Sequence, residues 1–523
     1  MTERETGIVE CRTLVAEKIS NDPYREGHPW SISVQQKPWQ NRVTVRQGGH
    51  GVRPVYFADS ENHRFLGTDY QEIVQSCRRL TPNPDGRMEL LLLGRCIGMN
   101  TLVSEIRRLP PGDYHELNGP HVMSSWIDAL EDGGTSTVES VADTFIEGVK
   151  QSITFDSTGW LPLSGGLDSR TIAAAVGSIP GVRAYTRGDS QDGESVTATQ
   201  VARKIGLSHR AYPIEDNYIQ TFSIPIVRMT AGMVSFDHGH AIYPISKLKK
   251  SSTGIVMPGI NGEYGRAFWR KSIPPDSRPA VETMGETLFG IESLMRKNRY
   301  LDLLTPDGHR QIDRIRADYI SEYVEAAQSA RFDHPTAWND EFYLRHRVRS
   351  FTAFGAVIWG SCFSLELPFL NSDYILAMRS LPPSERQAAI VHAEIIRRCA
   401  PELNRIRLHP SGQMIQPSPY DHLRRTLNRV IRRLHPSKHT RSHHDYAGWM
   451  RNERRFVEPL IKRSVESACG LVHETEVQRL WREHLAGKDH HRILARLITL
   501  AVFDSVFPRG REPDEDCRNH IDR

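Results

Sequence analysis

The stretch Leu163-Ser164-Gly165-Gly166-Leu167-Asp168-Ser169 connects a predicted strand, Trp160 to Leu163, to a predicted helix, Arg170 to Gly177. In a parallel sheet this kind of turn lies at the carboxyl edge, where the amides of helix N-termini point outward and ligands bind. Two glycines allow the backbone to turn tightly and to approach an anion closely, and two serine hydroxyls add hydrogen-bond donors. The pattern predicts a pyrophosphate-binding loop. No Gly-Lys-Ser or Gly-Lys-Thr follows it, which separates it from the Walker A loop of P-loop kinases and GTPases.

Asp168 adds a second requirement to this loop. A carboxylate repels a bare polyphosphate, because like charges repel, so its place in the loop predicts an intervening Mg²⁺ ion.

Short apolar strands alternate with helices on both sides of this loop. After the loop we predict a strand over Val182 to Thr186, a helix over Glu194 to Ile205 and a strand over Gly254 to Pro258. Before it, an amphipathic helix is predicted over 138–153, with apolar residues at helical spacing. Alternation of this kind predicts an α/β fold with a doubly wound parallel sheet.

Domain boundaries follow from changes in this pattern. A strand-rich and turn-rich opening ends near the Gly-rich segment 131–136, and from about 281 onward the sequence is mostly helical. We therefore divide the chain into residues 1–133, 134–410 and a helical C-terminal part, 411–523.

Composition and charge describe an ordinary globular chain. Its 523 residues carry 67 Lys plus Arg against 63 Asp plus Glu, a net charge of +4 that demands neither nucleic acid nor an anionic membrane as partner. Seven widely spaced cysteines without a Cys-x-x-Cys pair argue against a disulfide framework and favour a reducing compartment. The N-terminus MTERETGIVE has no apolar signal region, and no apolar run is long enough to cross a bilayer. We expect a cytoplasmic protein.

Two further patterns could suggest other functions. The Arg-rich segment from Leu423 to Arg441 has an apolar stripe at helical spacing, so we interpret its arginines as a solvated helix face. Histidines cluster at 435–444 and in Asp237-His238-Gly239-His240, but no cysteine or carboxylate at ligand spacing completes a zinc site. We expect His238 and His240 to line a substrate cleft or to cap local backbone.

Several segments together resemble one known family. They are the Ser-Gly-Gly-x-Asp-Ser loop at 164–169, Tyr185-Thr186-Arg187-Gly188, Glu194 with Ala198, Ala202 and His209, Pro258-Gly259-Ile260-Asn261-Gly262-Glu263, Leu365 to Asn371, and Gly94 with Thr101 to Gly112. In these the chain resembles the asparagine synthetase and β-lactam synthetase family of ATP pyrophosphatases, over about residues 80 to 515.

The resemblance implies a fold and a set of roles. Residues 1–133 would be a degenerate glutaminase-like (Ntn-type) α+β domain, 134–410 the ATP pyrophosphatase domain, and 411–523 its helical extension. ATP would bind at Leu163 to Ser169, Arg187, Pro258 and Gly259, and Asp168 and Glu263 would hold Mg²⁺. A carboxylate would attack the α-phosphate, pyrophosphate would leave, and an amine or ammonia would displace AMP from the acyl-adenylate.

The chain departs from the family at four places, one of which is Leu367, where the family usually has Arg before Pro-Phe-Leu. Its first cysteine is Cys11, where a glutaminase would expose one directly after the initiator Met, and we interpret Thr2 as part of a frayed terminus, so we expect no glutamine hydrolysis. Ile260 stands where asparagine synthetases carry Glu and β-lactam synthetases carry Tyr, so the base must come from elsewhere. The family's lysine after the Pro-Phe-Leu segment has no match, and Arg407 is our candidate for its catalytic role.

Three functions remain open from the sequence. The leading one is ATP-dependent, AMP-forming amide formation from a small-molecule or peptide carboxylate and an amine or ammonia, without nucleic acid or membrane. The alternatives are intramolecular ring closure, as in β-lactam synthetases or lasso-peptide cyclases, and a nucleotide-binding protein that has lost catalysis. The oligomeric state stays open, with a homodimer as one option.

Overall fold

The computed structural model describes residues 28–37, 42–48, 50–59, 64–118, 121–125, 135–153, 158–177, 179–248, 254–266, 269, 279–295, 299–386, 389–415 and 444–508. Thr2, Cys11, the Arg-rich segment 423–441 and the histidines at 435, 439 and 443 lie outside these ranges. Within them, no helix is long and apolar enough to span a membrane.

The first part of the chain contains two antiparallel sheets. One has the strand order β1-β2-β6-β7 and the other β4-β3-β5. Their elements are β1 (Ile32–Lys37), β2 (Arg42–Gln47), β3 (Tyr56–Asp59), β4 (Arg64–Gly67), α1 (Tyr70–Ser76), α2 (Pro84–Leu93), β5 (Ile106–Arg108), β6 (Tyr114–Asn118) and β7 (His121–Ser125).

The three-stranded sheet is buried on both faces. Its side chains point alternately to one face and to the other. Phe57 of β3 and Leu66 of β4 face the four-stranded sheet, where they join Val43 and Val45 in one small core. Tyr56 of β3 faces the opposite way and belongs to the main core of the molecule. The period of two along a strand therefore ties this first part to the rest of the chain.

The second part is built on a parallel sheet, as the alternation of strands and helices predicts. All four strand pairs are parallel and the order is β10-β9-β8-β11-β12. Its elements are α3 (Val138–Ser152), β8 (Gly159–Pro162), α4 (Asp168–Val176), β9 (Val182–Arg187), α5 (Gly193–Lys204), β10 (Ser208–Tyr212), α6 (Tyr218–Thr230), α7 (Ile242–Leu248), β11 (Ile255–Val256) and β12 (Ser364–Leu365).

This strand order reverses its direction between β8 and β11. From β8 the chain adds β9 and β10 on one side, and it then returns to place β11 and β12 on the other. In open parallel sheets the crevice at such a reversal, outside the carboxyl ends of the strands, is where ligands bind. The loops that follow β8 and β11 both open into this crevice.

Helices make up most of the remaining chain. They are α8 (Val281–Glu292), α9 (Pro306–Gln328), α10 (Pro335–Phe342), α11 (Ala353–Gly360), α12 (Ser372–Ser380), α13 (Ile390–Cys399), α14 (Tyr446–Asn452), α15 (Arg454–Ser467), α16 (Glu474–Leu485) and α17 (His491–Val506). A π-helical stretch, Tyr343–Thr352, joins α10 to α11.

The C-terminal helices pack directly on the first part of the chain. Arg87 of α2 is fully buried and donates to the carboxylate of Asp504 and to the backbone carbonyl of Ser467. Arg496 of α17 donates to the carbonyls of Leu91 and Leu92 at 2.8 and 2.9 Å. Arg496 thus satisfies orphan carbonyls at the end of α2, and Arg87 satisfies one at the end of α15, as buried helix termini require.

Candidate functional site

The loop after β8 leaves the N-terminus of α4 open. Leu167 occupies the cap position, and its apolar side chain makes no capping hydrogen bond. The first amides of a helix have no intrahelical acceptor, so the start of α4 presents backbone donors at the sheet edge. An uncapped helix start at this place is suited to an anion.

The two serines of the loop hold its shape. The Ser164 and Ser169 hydroxyls lie 2.9 Å apart, and the Ser164 amide donates to the Ser169 hydroxyl at 3.0 Å. The Gly166 amide donates to the Ser164 hydroxyl at 3.1 Å. The hydroxyls that the sequence suggests as donors to phosphate are thus engaged within the loop.

Gly165 is required by a neighbouring segment. A Cβ atom at this position would lie 2.6 Å from the Cβ of His409, whose amide donates to the Gly165 carbonyl at 2.9 Å. Arg170 of α4 fixes the same contact, because its buried guanidinium donates to the carbonyls of Ile406 and Arg407 at 2.6 and 3.2 Å. The segment after α13 therefore packs against the 164–169 loop and fixes its position.

The loop after β11 packs against the start of α4. A Cβ atom at Gly259 would lie 3.1 Å from the Ser169 amide nitrogen, and one at Gly262 would lie 2.4 Å from the Cβ of Asp168. Between them, the Asn261 side chain donates to the Phe369 carbonyl at 2.8 Å and holds a left-handed turn with φ of 69°. Glycines at 259 and 262 allow the two loops to touch.

Asp168 and Glu263 come together at this contact. Burial and the nearby Asp168 carboxylate both raise the pKa of Glu263, in that order of importance, and the Tyr343 hydroxyl donates to its Oε2 at 3.1 Å. Arg266 donates to Asp168 Oδ2 at 2.8 Å. The buried Oδ1 of Asp168 has no hydrogen-bond partner among the described residues, and the His392 Nε2 lies 3.4 Å from it.

This pair fits a magnesium ion that also contacts phosphates. Two neighbouring carboxylates, one with an orphaned oxygen and one with a raised pKa, gain from a cation between them. In the described part of the chain, no group of three or more histidines, cysteines and acids could hold a metal. Mg²⁺ is commonly held by one or two carboxylates together with substrate phosphates, so two acids are a donor set of the kind it uses.

A cavity of about 350 Å³ opens between the two loops. Its lining includes seven of the residues that the resemblance implies for ATP and Mg²⁺: Leu163, Ser164, Asp168, Ser169, Arg187, Gly259 and Glu263. Gly165, Gly166, Leu167 and Pro258 lie in the same loops but do not line it. Burial lowers the pKa of Arg187, and the Glu194 carboxylate opposes this shift.

Arg407 lies away from this cavity. Its guanidinium donates to the Gly412 carbonyl at 2.9 Å, and the residue is absent from the cavity lining. The structure therefore does not bring Arg407 to the crevice with Asp168 and Glu263.

A second cavity of about 960 Å³ adjoins the first, because His238, His240 and Phe351 line both. Its other walls combine four arginines with aromatic and acidic side chains and come from distant parts of the chain. These walls include Arg95, Arg347, Arg492, Arg496, Asp237, Trp269, Glu292, His444, Asp445 and Tyr446.

The sequence motifs do not reveal several residues of the first site. Tyr343 begins the π-helical stretch and His392 lies in α13, and nothing in their local pattern separates them from core residues. Arg266 follows Glu263 by one helical turn, so a cation beside the paired acids is the one signal that was available.

Comparison with protein-family models gives no match to this chain, and no curated protein matches it either.

Proposed function

We propose that the protein is an ATP-dependent, AMP-forming enzyme that makes an amide bond from an adenylated carboxylate and an amine, without hydrolysing glutamine. One observation carries this proposal. The open start of α4 and a carboxylate pair from two different loops meet at the crevice where the sheet reverses its strand order. Together they provide donors for phosphate and ligands for Mg²⁺ in one place.

The residues divide into three roles under this proposal. The backbone of the 164–169 loop and the start of α4 would bind the pyrophosphate portion of ATP, and the end of β9 near Arg187 would bind the nucleoside. Asp168 and Glu263 would hold Mg²⁺, which supplies positive charge to the leaving pyrophosphate. The helix amides are fixed before reaction, so they stabilise charge on the leaving group without reorganising.

Pyrophosphate exchange tests the adenylation step directly. Purified protein with Mg·ATP and labelled pyrophosphate is assayed with a panel of the proteinogenic amino acids, dicarboxylates and carboxylate-bearing peptides. We expect label to enter ATP with at least one member, and Asp168→Asn to abolish most of this exchange. Asp313→Asn, on the exposed face of α9, is the matched control.

Two outcomes would decide between the proposed enzyme and its alternatives. Tight binding of Mg·ATP without exchange for any carboxylate would contradict an adenylating enzyme and favour a nucleotide-binding protein. Once an active carboxylate is known, the mass of the product separates ligation from ring closure, because only ring closure leaves a product one water lighter than a single substrate.

A further inference from the structure

Amide formation needs a proton acceptor, because the amine nitrogen loses a proton as it becomes an amide nitrogen. Among the titratable side chains that line the first cavity, Asp168 and Glu263 are assigned to the metal. Glu194 interacts electrostatically with Arg187. Tyr185 is buried, its hydroxyl accepts a hydrogen bond from Trp359 Nε1 at 2.9 Å, and burial raises its pKa. His238 and His240 are the remaining candidates, and both stand at the passage between the two cavities.

His238 is held at this passage by its backbone and by its ring. It ends a short 3-10 turn, Phe236–His238, in which its amide donates to the Ser235 carbonyl at 2.9 Å. Its ring packs edge-on against Phe351, with the two ring centroids 4.7 Å apart. His240 instead packs against the ring of His444, at a centroid distance of 4.5 Å. Of these two histidines, His238 is the one that directly follows an acidic residue, Asp237.

Asp237 carries an unsatisfied acceptor on the second cavity. Its side chain is 10% exposed, and its Oδ1 is buried without a hydrogen-bond partner among the described residues. The His238 Nε2 lies 3.9 Å away, beyond hydrogen-bond distance. A buried carboxylate oxygen without a donor is costly, so its position on a cavity wall indicates a donor supplied by a ligand.

The second cavity is far larger than ammonia requires. Its volume is about 960 Å³, whereas a molecule the size of water takes up about 30 Å³ in the liquid. Trp269, Phe351 and Tyr446 add apolar and aromatic surface to its walls. These features suit an organic molecule that carries an amino group.

We propose that the second cavity admits an organic primary amine, that Asp237 binds its nitrogen, and that His238 accepts its proton as the amide forms. This proposal rests on the proposed function. The bound ammonium first loses one proton to solvent. The free amine then attacks the acyl carbon and forms the C–N bond, its second proton passes to His238, and the C–O bond to AMP breaks with the electron pair leaving on the phosphate.

The residues around His238 favour the uncharged form of its imidazole. Partial burial lowers its pKa below the ordinary value, and Arg496, Arg347 and Arg492 lower it further, while Asp237 opposes them. The other titratable groups on the walls of the second cavity are Arg95, His240, Glu292, His444, Asp445, Tyr446, Asp489 and His491. A lowered pKa favours the uncharged imidazole, which is the form that a general base requires.

Separating the two half-reactions tests His238. With a carboxylate from the exchange panel, His238→Asn should leave pyrophosphate exchange within about twofold of the unmodified protein and slow amide formation by about 100-fold or more. Hydroxylamine, which is a free base at neutral pH, should still trap the acyl-adenylate as a hydroxamate in this variant. His309→Asn, on the exposed side of α9, is the matched control and should change neither rate. Equal losses in exchange and amide formation, or an unchanged amide rate, would overturn the assignment.

The amine site has a test that needs no carboxylate. Benzylamine binding is followed by calorimetry and by the fluorescence of Trp269, with Trp269→Phe to identify that signal. We expect Asp237→Asn to weaken binding by about tenfold, as for the loss of one charge-assisted hydrogen bond. Equal binding by both proteins, or none, would overturn the amine site. Absence of exchange with every carboxylate would instead count against the proposed function, so the two failures are distinguishable.

Discussion

Replacement of Gly262 by alanine tests whether contact between the two loops builds the site. A methyl group there would lie 2.4 Å from both Cβ and Cγ of Asp168 and 2.7 Å from its Oδ1. Carbon atoms in contact are separated by about 3.5 to 4.0 Å, so more than about 1 Å must be made up. The Cβ of Asp168 cannot swing aside, because it is attached to the first residue of α4. Either the loop or the helix start must therefore move.

The size of the effect follows from this displacement. Overpacking a filled position costs about 1 to 3 kcal/mol of unfolding free energy, and a misplacement of about 1 Å in a catalytic group costs about 100-fold in rate. We expect Gly262→Ala to lower the denaturant midpoint, weaken Mg·ATP binding measured by calorimetry, and reduce pyrophosphate exchange by about that factor.

Gly290→Ala is the matched control for this experiment. It lies in α8, and a methyl group there meets no atom within 4 Å. Alanine is favoured over glycine inside a helix by about 1 kcal/mol, so this variant should be as stable as the unmodified protein or more so. If Gly262→Ala binds Mg·ATP as tightly as Gly290→Ala and unfolds at the unmodified protein's midpoint, close loop contact is not what forms the site.

Three further predictions concern buried charge, in the candidate site and elsewhere in the core. Asp168→Asn and Glu263→Gln should each abolish most pyrophosphate exchange, and the double variant should be little worse than either single one, because both carboxylates would act through one ion; additive losses would contradict a shared ion. Burial raises the pKa of Glu89 from its ordinary 4.5 to about 8, so the folded protein keeps a proton that the unfolded chain releases. The free energy of unfolding should then fall by about 1.4 kcal/mol for each unit that the pH rises between these two pKa values. The denaturant midpoint of Glu89→Gln should not show this dependence on pH. Arg170→Met should leave the partly buried Ile406 carbonyl without its donor and cost about 1 to 3 kcal/mol, measured as a lower midpoint, and an unchanged midpoint would show that water replaces the guanidinium.

Local sequence patterns predicted the ends of the strand and the helix that flank the 164–169 loop to within a residue or two. The strand expected over 160–163 is observed at Gly159–Pro162, and the helix expected from 170 begins at Asp168. Apolar runs, two glycines and a helical repeat all mark this region, so local sequence carries the information. The strand expected over 254–258 shortens to Ile255–Val256 because the chain leaves the sheet there to form the second loop.

Other elements carry no such local signal. Strand β10 contains Ser208, His209 and Arg210, and it is a strand because it pairs with β9 at the edge of the sheet. Strand β12 is only two residues long and follows from its pairing with β11. The π-helical stretch 343–352 likewise has a strong apolar and polar periodicity that a regular helix would share. Tertiary contacts decide all three, and a single sequence does not display them.

The same distinction applies to the two cavities. Half of the residues that line the first lie at or directly after the ends of β8, β9 and β11, so local motifs can predict that part of it. The walls of the second come from the end of α2, the turn before α7, the π-helical stretch and the start of α17. Glu292 accepts from both Arg95 and Arg347 there, which fixes two arginines from distant segments around one carboxylate. Because this cavity exists only where the C-terminal helices pack on the first part of the chain, changes in those helices should alter which amine is accepted while leaving adenylation intact.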